Sequence, residues 1–281
     1  MARLSAGFLI FRYHFRSKKG YHFDNSHRYC VNDLADGGKP LIVLFTDFGI
    51  TGPYVGQVKA ALLQEAPGVP IVDLMHDIPA FNPKAAAYLL AALVDEFPYG
   101  TTFLCVVDPG VGTESRLPVV LAADGQWFVG PNNGVFSVVA KRSQQVKVAE
   151  ITWQPHRLSA SFHARDLFAP VAAMVARGES VPAKPMLVES SIVDAWPEDL
   201  PEIIYIDHFG NAMTGLRYAE MPDLKQLIIG DTTLYRAHTF GRVPEGQGFW
   251  YENANGLIEI AVNQGSVALQ LGLSIGTPVR F

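Results

Sequence analysis

The chain has 281 residues, of which 49% are hydrophobic and 17% are charged, a balance typical of folded globular proteins rather than disordered ones. Its formal net charge of −5 leaves no basic footprint for nucleic acid, and no apolar run is long enough to span a bilayer. The two cysteines, Cys30 and Cys105, do not make a disulfide framework. We therefore expect a cytoplasmic protein without a nucleic-acid or membrane partner.

The first 40 residues differ in charge from the rest of the chain. They carry seven Lys or Arg against three Asp or Glu, although the whole chain is acidic. Their apolar stretch, 8–11, is too short for the hydrophobic region of a signal peptide, and no small-residue cleavage site follows it. We predict that residues 1–39 form a disordered extension. A membrane-surface or targeting role is the alternative.

From residue 40 the sequence alternates between apolar strands and helices. Strands are predicted at 40–45, 70–74 and 102–107, and helices at 54–65 and 84–97. These are followed by a hairpin that turns at Asp124 and Gly125, a strand at 146–152 and a helix at 166–176. Because strands that alternate with helices form parallel sheets, we predict an α/β domain over 40–190 with a mainly parallel central sheet.

The composition changes after residue 178. Residues 179–201 are rich in proline, serine and acidic side chains, and we predict that they form a linker. Beyond them, short strands separated by turns are predicted at 203–206, 226–229, 257–262 and 278–281. The second predicted domain, over 191–281, is therefore all-β.

Two aspartates follow predicted strands of the α/β domain at equivalent ends. Asp47 and Asp108 each come directly after a strand and lie next to glycine. A single aspartate at such a place is commonly a turn residue, but ligands of open α/β sheets bind outside the carboxyl ends of the strands. The pair therefore indicates a site. His163, with Arg165 and Asp166 beside it before a helix, is a further candidate, and a packing role is its alternative.

The turn after Asp108 partly matches a methyltransferase motif, D-x-G-x-G-x-G. Gly110 and Gly112 fit, but Glu114 replaces the last glycine, and the turn follows the third strand instead of the first. The dinucleotide fingerprint G-x-G-x-x-G fails at Ser115, and the chain contains neither a phosphate-binding loop nor a G-x-S-x-G elbow. A Rossmann methyltransferase therefore stays only as an alternative.

Metal binding finds little support in the sequence. The side chains considered are His76, Asp77, His163 and His208, and no two of them have a recognised ligand spacing. We predict no metal. Glu259 is unusual for another reason, because it lies inside an apolar strand, where a carboxylate needs a partner or an interface.

Eight stretches, in this order, resemble the S-adenosyl-L-methionine (SAM) hydroxide adenosyltransferases. These are adenosine-forming SAM hydrolases, related to the SAM-dependent fluorinases and chlorinases. The resemblance extends over residues 40–281. The matching stretches are TDFGITGPYVG (46–56), HDIPAF (76–81), FPYGT (97–101), VVDPGVGT (106–113), GPNNG (130–134), SFHARD (161–166), IDHFGN (206–211) and the segment around NGLIEIAVNQGS (255–268).

The resemblance implies an N-terminal α/β domain, a small C-terminal β-barrel and a homotrimer that holds SAM between the domains of neighbouring subunits. Water or hydroxide then attacks C5′ of SAM, without a cofactor, and gives adenosine and methionine. The resemblance assigns the orienting or activating of that water to Asp108, Arg116 and His163. The family usually has two arginines after the G-T-x, and Ser115 replaces the first, so Arg116 is expected to take its role.

The resemblance also implies contacts to the substrate. Asp47 matches the carboxylate that holds the ribose hydroxyls, and Phe81 matches an aromatic wall beside the nucleoside. Asp207 and Asn211 match contacts to the methionine and adenine ends, whereas Ala254 replaces a serine that contacts the methionine carboxylate in the halogenases. The other expected contacts are Phe48, Asn133, Phe162, Asn255, Val262 and Gln264.

Three alternatives to a SAM hydrolase stay open. A SAM-dependent halogenase is opposed by Asp108, because a carboxylate repels a halide in a low-dielectric pocket. The methyltransferase is opposed by Glu114 and by the position of its motif. A non-catalytic SAM- or adenosine-binding protein is kept open by Ser115.

Overall fold

The computed structural model describes residues 22–23, 28–30, 39–114 and 116–281. Within them, nine strands form one large sheet. They are β1 (His22–Phe23), β2 (Arg28–Cys30), β3 (Ile42–Thr46), β4 (Ile71–Met75), β5 (Thr102–Val106), β6 (Pro118–Ala123), β7 (Gln126–Pro131), β8 (Val146–Ile151) and β9 (Val181–Met186). The α-helices that pack on this sheet are α1 (Tyr54–Glu65), α2 (Pro83–Leu93), α3 (Ser137–Arg142) and α4 (Ala169–Ala176).

The strands of the large sheet lie in the order β1-β2-β9-β8-β6-β7-β5-β3-β4. Strands β4, β3, β5 and β7 are parallel, as predicted for the α/β domain. The strands beyond β7 pair antiparallel, so the sheet as a whole is mixed. Strands β1 and β2 replace the disorder predicted for their part of segment 1–39. Apart from residue 39, the rest of that segment lies outside the described residues.

Helices cover both faces of the parallel strands. In β3, Ile42 and Leu44 face a core shared with α1 and α4, whereas Val43 and Phe45 face a core shared with α2 and α3. All four side chains are fully buried. This two-sided burial explains why the sequence of β3 is continuously apolar rather than alternating.

The prediction of a linker at 179–201 is wrong at its beginning. Residues Val181–Met186 form β9, which pairs antiparallel with β8. The prolines of this segment argued against a strand because proline lacks a backbone N–H. A proline keeps its carbonyl, however, and Pro182 O accepts hydrogen bonds from the N–H groups of Thr152 and Trp153 at 3.0 and 3.2 Å.

The predicted helices are confirmed, with changes at their ends. Helix α1 has the predicted bounds, whereas α2 ends at Leu93 and continues as a 3₁₀ turn, Val94–Glu96. Helix α4 begins at Ala169, after a single π-helical turn at Ala164–Phe168. The short helix α3 was not predicted, because its six residues carry too little periodic signal.

The C-terminal region is built mainly from strands. They are β10 (Leu200–Ile206), β11 (Ala212–Arg217), β12 (Gln226–Ile229), β13 (Thr232–Tyr235), β14 (Gly248–Glu252) and β15 (Leu257–Val262), followed by helix α5 (Val267–Leu271). An antiparallel sheet has the order β10-β11-β15-β14, and β12 pairs with β13. The strand predicted at 278–281 is wrong, because Pro278 and Arg280 form only isolated bridges, with Glu202 and Ile228.

The C-terminal sheet contacts the N-terminal region through α2 and the loop before it. Lys84 Nζ on α2 pairs with Glu202 on β10 at 2.8 Å, and the Tyr205 hydroxyl donates to Asp77 Oδ2 at 2.7 Å. The domain bounds 40–190 and 191–281 stay predictions. No helix in the described part of the chain has the length and apolar character needed to cross a membrane.

Candidate active site

The predicted site lies where the strand order of the parallel sheet reverses. Helix α1 leads from β3 to β4 on one side of β3, and α2 returns the chain to β5 on the other side. Ligands of open α/β sheets bind in the crevice at such a switch point. Asp47 follows β3 and Asp108 follows β5, and the Asp47 N–H donates to Val106 O at 3.4 Å. The structure therefore brings both aspartates to one crevice.

The three residues predicted to be catalytic lie together, and two of them, Asp108 and Arg116, form a buried ion pair. Arg116 Nη2 lies 2.9 Å from Asp108 Oδ2 and 2.8 Å from His163 Nδ1, so one guanidinium nitrogen links both partners. The side chains of Asp108 and Arg116 are only 4% and 6% exposed. The guanidinium carbon also lies 5.4 Å from the centre of the Phe168 ring, a distance that allows a cation–π contact. Arg116 thus lies between Asp108 and His163, and its catalytic role stays a prediction.

The contacts of Arg116 determine the tautomer of His163. A guanidinium has donors only, so His163 Nδ1 accepts the hydrogen bond and the neutral ring carries its proton on Nε2. Burial lowers the pKa of His163, and the positive charge of Arg116 lowers it further. Burial raises the pKa of Asp108, while Arg116 opposes this rise. The group therefore combines a buried carboxylate, which can accept a proton, with a neutral imidazole N–H, which can donate a hydrogen bond.

An aromatic pocket surrounds this charged group. The ring centres of Phe48 and Phe162 are 6.0 Å apart, and Tyr54 packs edge-on against Phe162 at 5.2 Å. The residues that line the pocket are Asp47, Phe48, Phe81, Val106, Asp108, Val111, Ser161, Phe162, His163 and Ala164. All the predicted N-terminal site residues except Arg116 and Asn133 therefore line it. Its lining combines apolar and aromatic side chains with a few polar groups, which suits a partly apolar ligand.

Phe81 is held in a strained conformation at the mouth of this pocket. Its φ of 59° lies in the left-handed region, which a bulky residue rarely adopts, and its side chain is 77% exposed. The Phe81 N–H donates to Asp47 Oδ2 at 3.0 Å. Burial raises the pKa of Asp47, and the hydrogen bond from Phe81 opposes this effect. Backbone strain of this kind is concentrated at ligand sites.

His76 fixes the turn that carries Asp47. Its Nδ1 lies 2.7 Å from the hydroxyl of Thr46, and its backbone carbonyl accepts from Gly49 N–H at 2.6 Å. Its other ring nitrogen lies 3.2 Å from Asp73 Oδ1. His76, one of the side chains considered for a metal, is thus a structural clamp beside the site. In the described part of the chain no group of three or more His, Cys, Asp or Glu residues is arranged to hold a metal ion.

A second pocket lies in the C-terminal region. It is lined by Asp207, Phe209, Asn211, Phe240, Tyr251, Glu259, Val262, Gln264 and Gly265, none of which lines the first pocket. The predicted contacts Asp207 and Asn211 touch each other there, because Asn211 Nδ2 donates to Asp207 Oδ2 at 2.9 Å. Asp207 Oδ1 also accepts from the N–H groups of Phe209 and Asn211. Asp207 therefore orients the amide of Asn211 in this pocket.

Two predicted contacts line neither pocket. Asn133 Nδ2 donates to Val107 O at 2.8 Å and so fixes the chain next to Asp108, and Asn255 N–H donates to Asn253 Oδ1 at 2.9 Å. The sequence analysis did not identify several residues that do line the pockets. They are Val106, Val111, Ser161, Ala164, Phe209, Phe240, Tyr251 and Gly265; Glu259, which the sequence analysis singled out only as an unusual carboxylate in an apolar strand, lines the second pocket as well.

Both parts of the chain match family models. Residues 42–184 match the SAM hydroxide adenosyltransferase N-terminal domain, and residues 201–280 match the C-terminal domain of the same family. The chain belongs to the SAM hydroxide adenosyltransferase family. The predicted resemblance is thereby confirmed.

Named relatives of this family member span most of its length. It is 38% identical to an (R)-S-adenosyl-L-methionine hydrolase of Thermus thermophilus, with 85% of this chain and 98% of the relative covered. The hydrolase of the same name from Salinispora tropica is 34% identical, with 86% of this chain and 97% of the relative covered. A crystal structure of a conserved Thermotoga maritima protein has a TM-score of 0.76 at 29% identity, with 85% and 98% covered. A fluorinase of Nocardia brasiliensis is more distant, at 26% identity over 87% of this chain and 97% of the relative.

In this SAM hydroxide adenosyltransferase, Gly112 permits close approach of the two loops that form the charged group. Its φ is 81°, and a Cβ there would lie 2.5 Å from Ala160 O. We expect Gly112→Ala to push the loop of Asp108 and Arg116 away from the loop of His163. The substitution should lower kcat by about tenfold or more and destabilise the fold by about 1–3 kcal/mol. Steady-state assays and denaturant unfolding measure both effects.

Gly110→Ala is the matched control for this prediction. A Cβ at Gly110 would have its nearest neighbour at 3.6 Å, an ordinary contact with the Thr113 hydroxyl. This variant should keep kcat within about threefold of the wild type, because the added Cβ makes only ordinary contacts, with Thr113 and with the Cβ and Cγ of Arg116, and no neighbour has to move. Equal losses in both variants would show that the close approach at Gly112 is not what the site needs.

Proposed function

We propose that this protein hydrolyses the (R)-sulfonium form of SAM to adenosine and methionine. The observation that carries the proposal is the Asp108–Arg116–His163 group at the switch point of the sheet. The relatives of 38% and 34% identity that span most of the chain are named (R)-S-adenosyl-L-methionine hydrolases, which supports the same substrate and epimer here.

The chemistry of SAM agrees with such a group. The sulfonium leaves as a neutral thioether, so the reaction requires an in-line nucleophile and little acid catalysis. A water oxygen forms the bond to C5′ while the C5′–S bond breaks, and the sulfur of methionine keeps that electron pair. Asp108 accepts the proton or hydrogen bond of the water, and the proton then passes to solvent. The Arg116 charge keeps the Asp108 carboxyl ionised, and His163 Nε2–H orients the water.

The two pockets suggest how the rest of SAM is held. We assign the ribose and C5′ to the pocket of Asp47 and Phe81, and the adenine and methionine ends to the pocket of Asp207 and Asn211. We infer that the C-terminal pocket of a neighbouring subunit in a homotrimer completes each site. We also infer that the C-terminal strands close into a barrel, for which the bridge between Arg236 and Trp250 provides support.

A halogenase is the second candidate, because fluorinases are among the relatives. Asp108 argues against it. A buried carboxylate with 4% of its side chain exposed would face an incoming halide, and like charges repel strongly where water is excluded. The same carboxylate assists water, which needs an acceptor for its proton.

Product analysis tests the proposed function. Purified protein is incubated with SAM, with and without chloride, and the nucleosides are separated by chromatography. We expect equal amounts of adenosine and methionine, unchanged by chloride, and slower turnover of the opposite sulfur epimer. Light scattering of the same preparation should give three times the mass of one chain.

Each alternative has its own outcome in this experiment. A chlorinated nucleoside would establish the halogenase, and S-adenosylhomocysteine formed with an added acceptor would establish a methyltransferase. Binding of SAM without any product would leave a non-catalytic binding protein. A monomeric mass would contradict the shared site.

A further inference from the structure

Glu259 is a buried carboxylate that the proposed reaction does not use. It lies on β15, an inner strand of the C-terminal sheet, is 3% exposed and lines the C-terminal pocket. The Tyr251 hydroxyl donates to its Oε1 at 2.5 Å, and Asn253 Nδ2 donates to its Oε2 at 2.8 Å. Both carboxylate oxygens are therefore held in place, and both donors are neutral.

The negative charge of Glu259 has no cationic partner in the described part of the chain. No Lys, Arg or His described in the structure pairs with Glu259 or lines its pocket. Asp207 adds a second carboxylate to the same pocket. Burial raises the pKa of Glu259, the two hydrogen bonds oppose this rise, and the Asp207 charge adds to it. A buried carboxylate without a cation is costly, so a cationic group of a ligand would stabilise it.

We propose that Glu259, held by Tyr251 and Asn253, recognises a positively charged group in the amino acid part of SAM. This inference depends on the proposed function, because that function supplies the ligand. SAM has two such groups, the sulfonium and the α-ammonium, and either would complement the carboxylate. Aromatic rings of Phe209, Phe240 and Tyr251 also line the pocket and favour a cation. Glu259 is thus a specificity residue that distinguishes SAM from uncharged nucleosides.

Three ligands that differ in their cationic groups distinguish the sulfonium from the α-ammonium. SAM carries both cations, S-adenosylhomocysteine carries only the ammonium, and methylthioadenosine carries neither. Initial rates give the KM for SAM, and calorimetry gives the Kd of the other two ligands. Glu259→Gln should raise the KM for SAM about 10- to 100-fold, since a desolvated charge pair is lost. The Kd of methylthioadenosine should stay within about twofold, because this ligand has no charge to lose.

The Glu259→Gln variant is designed to keep the fold. Its amide can donate to the Tyr251 oxygen while its carbonyl accepts from Asn253, so both hydrogen bonds persist. Glu252→Gln removes the same charge from an exposed position on the adjacent strand β14 and should leave all three affinities unchanged. Tyr251→Phe retains the carboxylate and should keep the preference for SAM over methylthioadenosine.

The outcomes decide the inference separately from the proposed function. Weaker binding of both SAM and S-adenosylhomocysteine assigns the ammonium, and weaker binding of SAM alone assigns the sulfonium. Equal changes for all three ligands, or no change for SAM, would overturn the inference even if the wild type hydrolyses SAM. A wild type that binds S-adenosylhomocysteine through Glu259 but forms no adenosine would overturn only the proposed function. Failure of the wild type to bind any of the three ligands would overturn both.

Discussion

Asp108→Asn is expected to lower kcat for SAM hydrolysis by about 10²- to 10⁴-fold, the usual range for loss of a general base. The amide has the shape of the carboxylate, so it can occupy the same place, where Arg116 Nη2 lies 2.9 Å from Asp108 Oδ2. It cannot accept a proton from water. Binding of SAM should stay within about threefold of the wild type, because ground-state contacts are largely kept. Single-turnover assays and equilibrium binding measure the two quantities.

The control for this prediction is Asp95→Asn, which makes the same chemical change at an exposed position after α2. It should leave both quantities at wild-type values. Unchanged kcat in Asp108→Asn would contradict the role of Asp108 as the acceptor. Loss of binding together with turnover would instead show that the carboxylate holds the substrate.

The strand ends of the N-terminal region could be predicted from the sequence because two simple rules agree there. Continuous apolar runs identified β3 and β5 as strands buried on both faces, and the switch-point rule placed Asp47 and Asp108 at one crevice. Strand β9 was not predicted, because its prolines argued against a strand. In the structure, however, the carbonyl of Pro182 accepts hydrogen bonds from the N–H groups of Thr152 and Trp153. The pairing of β9 depends on β8, a strand distant in the sequence, so the residues of β9 alone do not predict it.

The position of Arg116 could not be predicted from the sequence, for a different reason. Ser115 stands where the family usually has its first arginine, so counting along the sequence could not show whether the next residue reaches the site. The structure answers this, because Arg116 Nη2 lies 2.9 Å from Asp108 Oδ2 and 2.8 Å from His163 Nδ1. Asn133 and Asn255 were predicted to contact the substrate from matching motifs alone, and these contacts stay predictions; in the structure Asn133 Nδ2 donates to Val107 O and Asn255 N–H donates to Asn253 Oδ1.

The division of the predicted contacts between two pockets follows from topology rather than from any single motif. The N-terminal residues gather at the carboxyl ends of a parallel sheet, whereas Asp207, Val262 and Gln264 gather at one end of an antiparallel sheet. Glu259 carried a visible signal, as a carboxylate inside an apolar strand, but its partners Tyr251 and Asn253 are cross-strand or turn neighbours. Only the register of β14 and β15 brings them together.

Arg116→Ala should have the largest effect on stability. Arg116 forms a buried ion pair with Asp108. Removing the guanidinium leaves the Asp108 charge uncompensated, which lowers the free energy of unfolding by about 3–5 kcal/mol. The two side chains are 6% and 4% exposed, so water does not screen the loss. Arg177→Ala removes a half-exposed ion pair with Glu179 and should cost no more than about 1 kcal/mol. Denaturant unfolding compares the two variants.

The same variant should shift the pH dependence of the reaction. In the proposed mechanism the ionised form of Asp108 is the active one, so we expect activity to be lost as the pH falls through the pKa of Asp108. Burial already raises that pKa above its ordinary value of 3.8, and the Arg116 charge limits the rise. Without Arg116 the pKa rises further, so the acidic limb of the kcat profile moves to higher pH. Arg116→Lys retains a positive charge and should leave the limb near its wild-type position. An unshifted limb in Arg116→Ala would mean that another group titrates, and His163, whose pKa Arg116 lowers, would then be the first to test.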